Sequence, residues 1–165
     1  MAGARLTHRI VRRQDRLFDW MRDPRARQAA AEPATATDFD ALKAAEYALL
    51  VTLRQSGEPV PTPVWFGLHN GLVYVRTLID AGKVKRVRRE PRVRIAPCSI
   101  RGRPSGPFAE ATARILSAED VEVAESALDR HYGWRRRVYE GIGTRLGVRT
   151  VYLEIAPRHK STDEG

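Results

Sequence analysis

A dense run of cationic residues stands near the middle of the chain: Lys83, Lys85, Arg86, Arg88 and Arg89. Val84 and Val87, three residues apart, predict a helix that buries the valines and exposes the basic side chains. A helix start, with its free N–H groups and neighbouring cations, is suited to binding a phosphate group. A solvated basic face on an ordinary helix explains the same pattern, and these residues alone favour neither interpretation.

Other arrangements that could carry chemistry are missing from the sequence. It contains no common Gly-rich phosphate loop and no Gly-x-Ser-x-Gly motif. The histidines show no metal-ligand spacing, and the single Cys98 cannot build a zinc site. We expect Cys98 to be a buried structural thiol. Glu110 and Glu154 are expected on strand surfaces and do not suggest an acid–base pair. An enzymatic activity would therefore rest on a cofactor.

Composition indicates one soluble globular domain with an anionic partner. The 165 residues are 42% hydrophobic and 30% charged, and no apolar run reaches the length of a membrane span. We expect no signal peptide and, with one cysteine, a reducing cytoplasmic location. The net charge of +9 suits nucleic acid, a membrane surface or a polyanionic cofactor, and does not distinguish among them.

Three segments differ in composition: a basic arm with a linker (residues 1–36), a main domain (37–157) and a charged tail (158–165). The arm could form a helix with an apolar stripe opposite its arginines, ending at Asp23 and Pro24. That helix could dock on the domain, contact a membrane surface or bind nucleic acid. The alanine-rich residues 25–36 are typical of a linker.

The main domain is rich in strand patterns. Alternating or apolar runs predict strands at 47–54, 59–68, 72–78, 92–98, 108–116 and 150–156. Asn70 and Gly71 predict a tight hairpin between the second and third strands. Pro61 and Pro63 cannot donate to a sheet ladder, so the second strand should be an edge strand or an irregular segment. Its exposed backbone could contact a planar ligand, although a bent edge strand is the simpler interpretation.

Capping residues place the predicted helices. Thr37 should start a short helix to about Ala45, and Asp80 should start the basic helix that ends before Pro91. Ser117 should start a third helix, which Gly133 ends. Six strands, mostly joined by hairpins, with helices after the third and fifth, predict a mainly β fold: a small antiparallel barrel with peripheral helices.

Several motifs in combination resemble those of the pyridoxamine-phosphate-oxidase-like flavin and deazaflavin reductases, and more narrowly the oxidoreductases that depend on the deazaflavin coenzyme F420. They are Gly-x-Pro-x-x-x-Pro-x-Trp-Phe from Gly57, Asn-Gly-x-x-Tyr-x-x-Thr from Asn70, Gly-Lys-x₇-Pro-x-Val from Gly82, and His-Tyr-Gly-Trp from His131. The resemblance covers residues 41–157 and leaves the arm outside. It implies a six-stranded split β-barrel homodimer with two cofactor sites at the subunit interface.

The resemblance also implies roles for particular residues. Thr62, Pro63, Val64 and Trp65 would lie beside the cofactor, with the backbone of the last three along the deazaflavin ring. Arg76 and Thr77 would approach its ribityl and phosphate groups. Gly82 and Lys83, with Lys85 and Arg86, would hold the phosphate and the anionic glutamate tail. Tyr132, Trp134 and Arg137 are candidates for closing the site from the partner subunit.

The implied activity is hydride transfer from the C5 position of reduced F420 to an unsaturated or conjugated small molecule. The FMN-binding branch shares these motifs, so an FMN-dependent oxidase or reductase is the alternative. The excess of lysine and arginine suits the more anionic deazaflavin tail. A non-catalytic cofactor carrier or a nucleic-acid-binding module is a third possibility. The sequence lacks a groove-reading motif and an aromatic stacking platform, which disfavours nucleic acid.

Overall fold

The structure, a computed structural model, describes residues 24–133 and 149–158. Its strands are β1 (Tyr47–Leu53), β2 (Pro59–Val64), β3 (Gly67–His69), β4 (Leu72–Leu78), β5 (Arg92–Cys98), β6 (Ala109–Ile115) and β7 (Thr150–Pro157). Its α-helices are α1 (Pro24–Ala29), α2 (Gly82–Arg89) and α3 (Val121–Tyr132), with 3₁₀ turns at Asp40–Leu42 and Ala118–Asp120. Within these residues no helix is long and apolar enough to cross a membrane.

All the strands belong to one antiparallel sheet with the order β2-β1-β5-β6-β7-β4-β3. The two edge strands, β2 and β3, are consecutive in the chain and are joined only by Trp65 and Phe66. Because so short a connection joins its opposite edges, the sheet must curl until those edges are close. The result is a barrel left open between β2 and β3, which confirms the predicted split β-barrel.

The predicted six strands are seven, because the second one is broken. Its first part, β2, pairs with β1, and its second part, β3, pairs with β4. The chain therefore changes partner at Trp65 and Phe66, where no continuous ladder can form. Asn70 and Gly71 make the predicted hairpin, with φ of 50° and 75°. Both values lie in the left-handed region that a tight two-residue turn requires.

Alternate residues of the strands divide between an inner core and two outer clusters. The barrel interior holds Ala48, Leu50, Val64, Phe66, Val73, Val75, Val93, Ile95, Ala111, Ala113, Leu153 and Ile155, among others. On the outer face, α1 covers Leu49 and Val51 of β1. Helix α3 covers Tyr74 of β4 and Tyr152 of β7. The helices are therefore peripheral, as predicted.

Residues 25–36 contain a helix where the sequence predicted a linker. Helix α1 begins at Pro24, a residue that is well suited to the first helical position. Ala26 and Ala30 are 0% exposed and pack on the outer face of β1, where their small side chains let the helix approach closely. The guanidinium of Arg94 on β5 donates hydrogen bonds to the carbonyls of Ala30 and Glu32 at the helix end.

Two predicted helix starts are wrong, and the third is displaced, since a 3₁₀ turn follows Ser117 and α3 begins at Val121. The segment after Thr37 forms only the 3₁₀ turn Asp40–Leu42, where Asp38 accepts a hydrogen bond from the Asp40 backbone at 2.9 Å. At α2 the N-cap position belongs to Ala81 and not to Asp80, and no side chain caps the helix. The end of α3 is confirmed: Gly133 stops the helix with φ of 55°.

Candidate functional site

Helix α2 lies across the end of the barrel where β1 and β4 finish. Val84 and Val87 are buried, at 0% and 3% exposed, which confirms the predicted apolar face. The basic side chains differ in exposure: Lys85, Arg88 and Arg89 are exposed, whereas Lys83 and Arg86 are half-buried. Two cations of the helix are therefore partly withdrawn from water, and each is held by a threonine.

Lys83 and Thr77 are brought together as expected for members of one site. The Lys83 Nζ atom donates a hydrogen bond to Thr77 Oγ1 over 3.1 Å. Thr77 is on the same face of β4 as the core residues Val73 and Val75. Arg76 is on the opposite face, where its Nε donates to Thr150 Oγ1 at 3.4 Å. Arg76 is therefore separated from Lys83 and Thr77, which lie on the other face of β4.

Arg86 is held by a residue that the sequence did not single out. Its Nε atom donates to Thr52 Oγ1 at 2.6 Å, and Thr52 is 0% exposed on β1. Within residues 24–133 and 149–158 Thr52 is the only buried polar residue. The available signal was one threonine in the apolar run of β1, which is too common a pattern to indicate a site.

Gly82 lies with Lys83 and Arg86 at the start of α2. A Cβ atom added to Gly82 would lie 2.8 Å from Arg86 Nη1. The guanidinium of Arg86 is therefore close against the glycine backbone in the first turn of the helix. Gly82, Lys83 and Arg86 gather at one point, and Lys85 lies on the exposed side of the same helix.

Strand β2 is an edge strand, as its prolines predicted. In the ladder with β1, Val60, Thr62 and Val64 lie opposite Thr52, Leu50 and Ala48. Proline lacks an N–H group, so the alternate residues Pro59, Pro61 and Pro63 direct their backbone groups away from β1. That outer side of β2 offers carbonyl acceptors and no N–H donor at these three positions. It faces the opening of the barrel.

The cationic group and the Trp65 end of β2 are separated along the strand. Thr52, which holds Arg86, pairs with Val60, and the pairing ends at Val64 beside Trp65. Four residues of strand at about 3.3 Å each give roughly 13 Å between the two ends. The arrangement suits an elongated ligand with an anionic group at one end and a flat ring at the other.

Trp65 is stacked on Tyr132 of α3, with ring centroids 5.0 Å apart. The Tyr132 hydroxyl donates to the Glu46 carbonyl at 2.5 Å and accepts a hydrogen bond from the Phe66 backbone at 3.0 Å. Burial raises the pKa of Tyr132. Tyr132 thus fixes the Trp65 turn within its own chain, and its contact with a partner subunit stays a prediction. Trp134 and Arg137 lie outside the described residues.

A polar cleft opens beside Tyr132. Its volume is about 350 Å³, and it is lined by Lys43, Ala44, Ala45, Glu46, Arg130, His131 and Tyr132. The ring of His131 packs at 4.6 Å from that of Phe66, and its Nε2 is 2.9 Å from the Ala45 carbonyl. Burial lowers the pKa of His131, so the ring is neutral near pH 7 and donates to that carbonyl.

The remaining reactive groups are buried or paired in ways that fit structural roles. Cys98 is 5% exposed, and burial raises the pKa of its thiol to about 12, which agrees with a structural role. Glu154 pairs with Arg114 at 2.7 Å and accepts a hydrogen bond from Tyr74 at 3.2 Å. In the part of the chain that the structure describes, no His, Cys, Asp and Glu side chains cluster in a way that could hold a metal ion.

The open antiparallel barrel with peripheral helices places the chain in the split-barrel fold class. No protein-family model matches the sequence, and no curated protein matches it. Solved structures do share the fold. One is a candidate 5-nitroimidazole antibiotic resistance protein from Bacteroides thetaiotaomicron, with a TM-score of 0.55 and 14% identity over 72% of this chain and 76% of the other.

Two further structures are similar at comparable levels. A conserved hypothetical protein from Mycobacterium tuberculosis has a TM-score of 0.54 and 17% identity, covering 78% of this chain and 87% of that one. HutZ, the heme storage protein from Vibrio cholerae, has a TM-score of 0.52 and 14% identity, covering 72% and 85%. At these identities the similarity establishes the fold alone.

Proposed function

We propose that this protein is an oxidoreductase that binds the phosphorylated deazaflavin coenzyme F420 and transfers a hydride to an unsaturated or conjugated small molecule. The observation that carries the proposal is the pair of half-buried cations, Lys83 and Arg86, held by Thr77 and Thr52 at one end of β2. A cation withdrawn from water and held in place binds a phosphate more strongly than a solvated one.

The donor and acceptor groups of the site fit such a cofactor. Gly82, Lys83 and Arg86 would hold the phosphate, while the outward carbonyls of β2 would accept hydrogen bonds from ring N–H groups. Thr62, Pro63, Val64 and Trp65 would then line the ring. When bound, the cofactor supplies the hydride. The chain would orient the cofactor and the acceptor and exclude water, a role that needs no catalytic base.

The cleft beside Tyr132 gives the acceptor a place near the ring end. Tyr132 forms part of its wall and stacks on Trp65, which directly follows the ring-binding segment of β2. We propose that a homodimer completes the site, with Tyr132, Trp134 and Arg137 of a second copy as the candidates that would close it. Arg76, on the other face of β4, would not bind the phosphate together with Lys83.

Charge favours F420 over FMN. The net charge of +9 suits the several carboxylates of the glutamate tail, and so does the exposed Lys85, which lies on the same helix as the proposed phosphate-binding residues. FMN has the phosphate but lacks that tail. An FMN-dependent oxidase or reductase of the same fold is the alternative.

The test is a parallel titration of the apo-protein with F420, FMN and hemin, followed by fluorescence quenching or absorbance. We expect micromolar binding of F420, weaker binding of FMN, and F420-dependent hydride transfer to a conjugated acceptor. Lys83→Ala should weaken F420 binding about tenfold, because it removes one charge-assisted hydrogen bond. Arg88→Ala removes the same charge from the exposed side of α2 and serves as the matched control. Binding of hemin alone, or of no ligand, would overturn the proposal.

A further inference from the structure

Thr52 is a polar residue in a barrel core whose other buried side chains, among the residues described, are apolar. A buried hydroxyl needs a hydrogen-bond partner, because its transfer from water is otherwise unfavourable. Thr52 is fully buried, and its hydroxyl accepts the hydrogen bond from Arg86 Nε at 2.6 Å. A valine of nearly the same shape would fill the position and would suit a strand better. The hydroxyl is therefore explained by what it holds, which is Arg86.

Holding Arg86 by Nε fixes the plane of its guanidinium. The group is rigid and flat, so one short hydrogen bond at Nε restricts where both Nη atoms can lie. Nη1 lies against the backbone of Gly82, at the point where any side chain would intrude to 2.8 Å. The cation is thus directed to the first turn of α2, where backbone N–H groups also favour an anion.

Gly82 has the same explanation. Glycine is one of the weakest helix-forming residues, about 1 kcal/mol less favourable than alanine inside a helix, and Gly82 is the first residue of α2. At Gly82 the φ angle lies outside the left-handed region, so the backbone itself does not call for glycine. The missing side chain leaves the space that the Arg86 guanidinium occupies.

Resting on the proposed function, we infer that Thr52 is a positioning residue that gives the site its preference for a phosphorylated cofactor. Thr52 holds the Arg86 guanidinium over Gly82, where it binds the cofactor's phosphate ester. Thr52 does not contact the ligand. Its loss would lower the selectivity for the phosphate and leave the affinity for the ring nearly unchanged.

The experiment compares FMN with riboflavin, which differ only in the phosphate. The measured quantity is the ratio of their dissociation constants, obtained by flavin fluorescence titration of the full chain. If the wild type binds the deazaflavin in preference, the ring–ribityl fragment of F420 with and without its terminal phosphate forms the corresponding pair. The variants are Thr52→Val, Thr52→Ser and Gly82→Ala, with Arg88→Ala as the control on the same helix.

We expect Thr52→Val to lower the preference for the phosphorylated ligand about tenfold, the effect of displacing one charged donor. Thr52→Ser should retain most of the preference, because it retains the hydroxyl. Gly82→Ala should lower the preference by a similar factor, while its thermal stability is equal to or above that of the wild type. A structural role alone would change stability and leave the ratio intact.

An unchanged ratio in both Thr52→Val and Gly82→Ala would overturn the inference. If Thr52→Val fails to fold, the comparison of Gly82→Ala with the wild type decides. If the wild type binds neither flavin nor deazaflavin, the proposed function fails, and inorganic pyrophosphate is titrated by calorimetry. If pyrophosphate binds and Gly82→Ala weakens that binding, the result supports a phosphate site at Arg86 and Gly82 without the proposed function. If pyrophosphate does not bind, both the inference and the proposed function are overturned.

Discussion

Removal of the Tyr132 hydroxyl tests how the split barrel holds its broken strand. That hydroxyl donates to the Glu46 carbonyl before β1 and accepts from the Phe66 N–H between β2 and β3. It therefore links the end of α3 to the start of β1 and to the connection between the two edge strands. Tyr132→Phe retains the ring stacked on Trp65 and removes only these two hydrogen bonds.

The expected cost follows from the two partners that are left behind. Phe66 is 0% exposed, so its N–H would lose its partner in a dry environment at about 1–3 kcal/mol. Glu46 is exposed, and water can replace part of the bond to its carbonyl, at up to about 1 kcal/mol. We expect Tyr132→Phe to lower the free energy of unfolding by about 1–4 kcal/mol. The melting temperature should fall by roughly 3–12 °C for a chain of this size.

Urea unfolding measures the difference, with a lower midpoint at an unchanged m-value. Tyr74→Phe is the matched control, because it removes a buried hydroxyl whose acceptor, Glu154, keeps its ion pair with Arg114. Tyr74→Phe should lower the free energy of unfolding by no more than about 1 kcal/mol. If Tyr132→Phe is as stable as the wild type within about 0.5 kcal/mol, the hydroxyl does not link these elements and our account of the opening is wrong.

Three further predictions concern other parts of the fold. Gly67→Ala should lower the free energy of unfolding by about 3 kcal/mol, because the new Cβ would collide with the backbone of α3 at Ala127. Urea unfolding measures this change, and an unchanged stability would contradict the packing. The Cys98 thiol, with its pKa raised to about 12 by burial, should react with a disulfide reagent at pH 8 roughly a thousandfold more slowly than in unfolded protein. Equal rates would show that the thiol is accessible. Burial lowers the pKa of His131 below its unfolded value of about 6.5, so the native state binds fewer protons and stability should rise with pH until the unfolded histidine is neutral. His131→Gln, which keeps a donor for Ala45, should reduce that slope between about pH 5 and 7.5 in unfolding titrations; an unchanged slope would assign it to other groups.

Local patterns were sufficient for much of the fold. The alternation in β4, the valine spacing in α2 and the Asn70–Gly71 turn depend on neighbouring residues only, and the structure confirms them. The prolines of β2 placed it at a sheet edge for the same reason, since a missing N–H is a property of the residue itself. The charges at the start of α2 were visible in the sequence as well.

Other features arise from residues far apart in the chain. The alanine-rich α1 was mistaken for a linker, because small side chains give little periodic signal until they meet the outer face of β1. The break at Trp65 and Phe66 follows from the curl of the whole sheet, which gives the two halves of one apolar run different partners.

The candidate site shows the same division. The sequence by itself identified a run of cations that could bind a phosphate, because residue type and helical spacing determine charge and face. The family resemblance narrowed that run to Lys83, Lys85 and Arg86. Only the tertiary structure decided that Thr77 and Thr52 hold two of them, since Thr52 and Arg86 meet across the end of the barrel, 34 residues apart. A hydroxyl in an apolar strand has no visible role until the fold brings its donor to it.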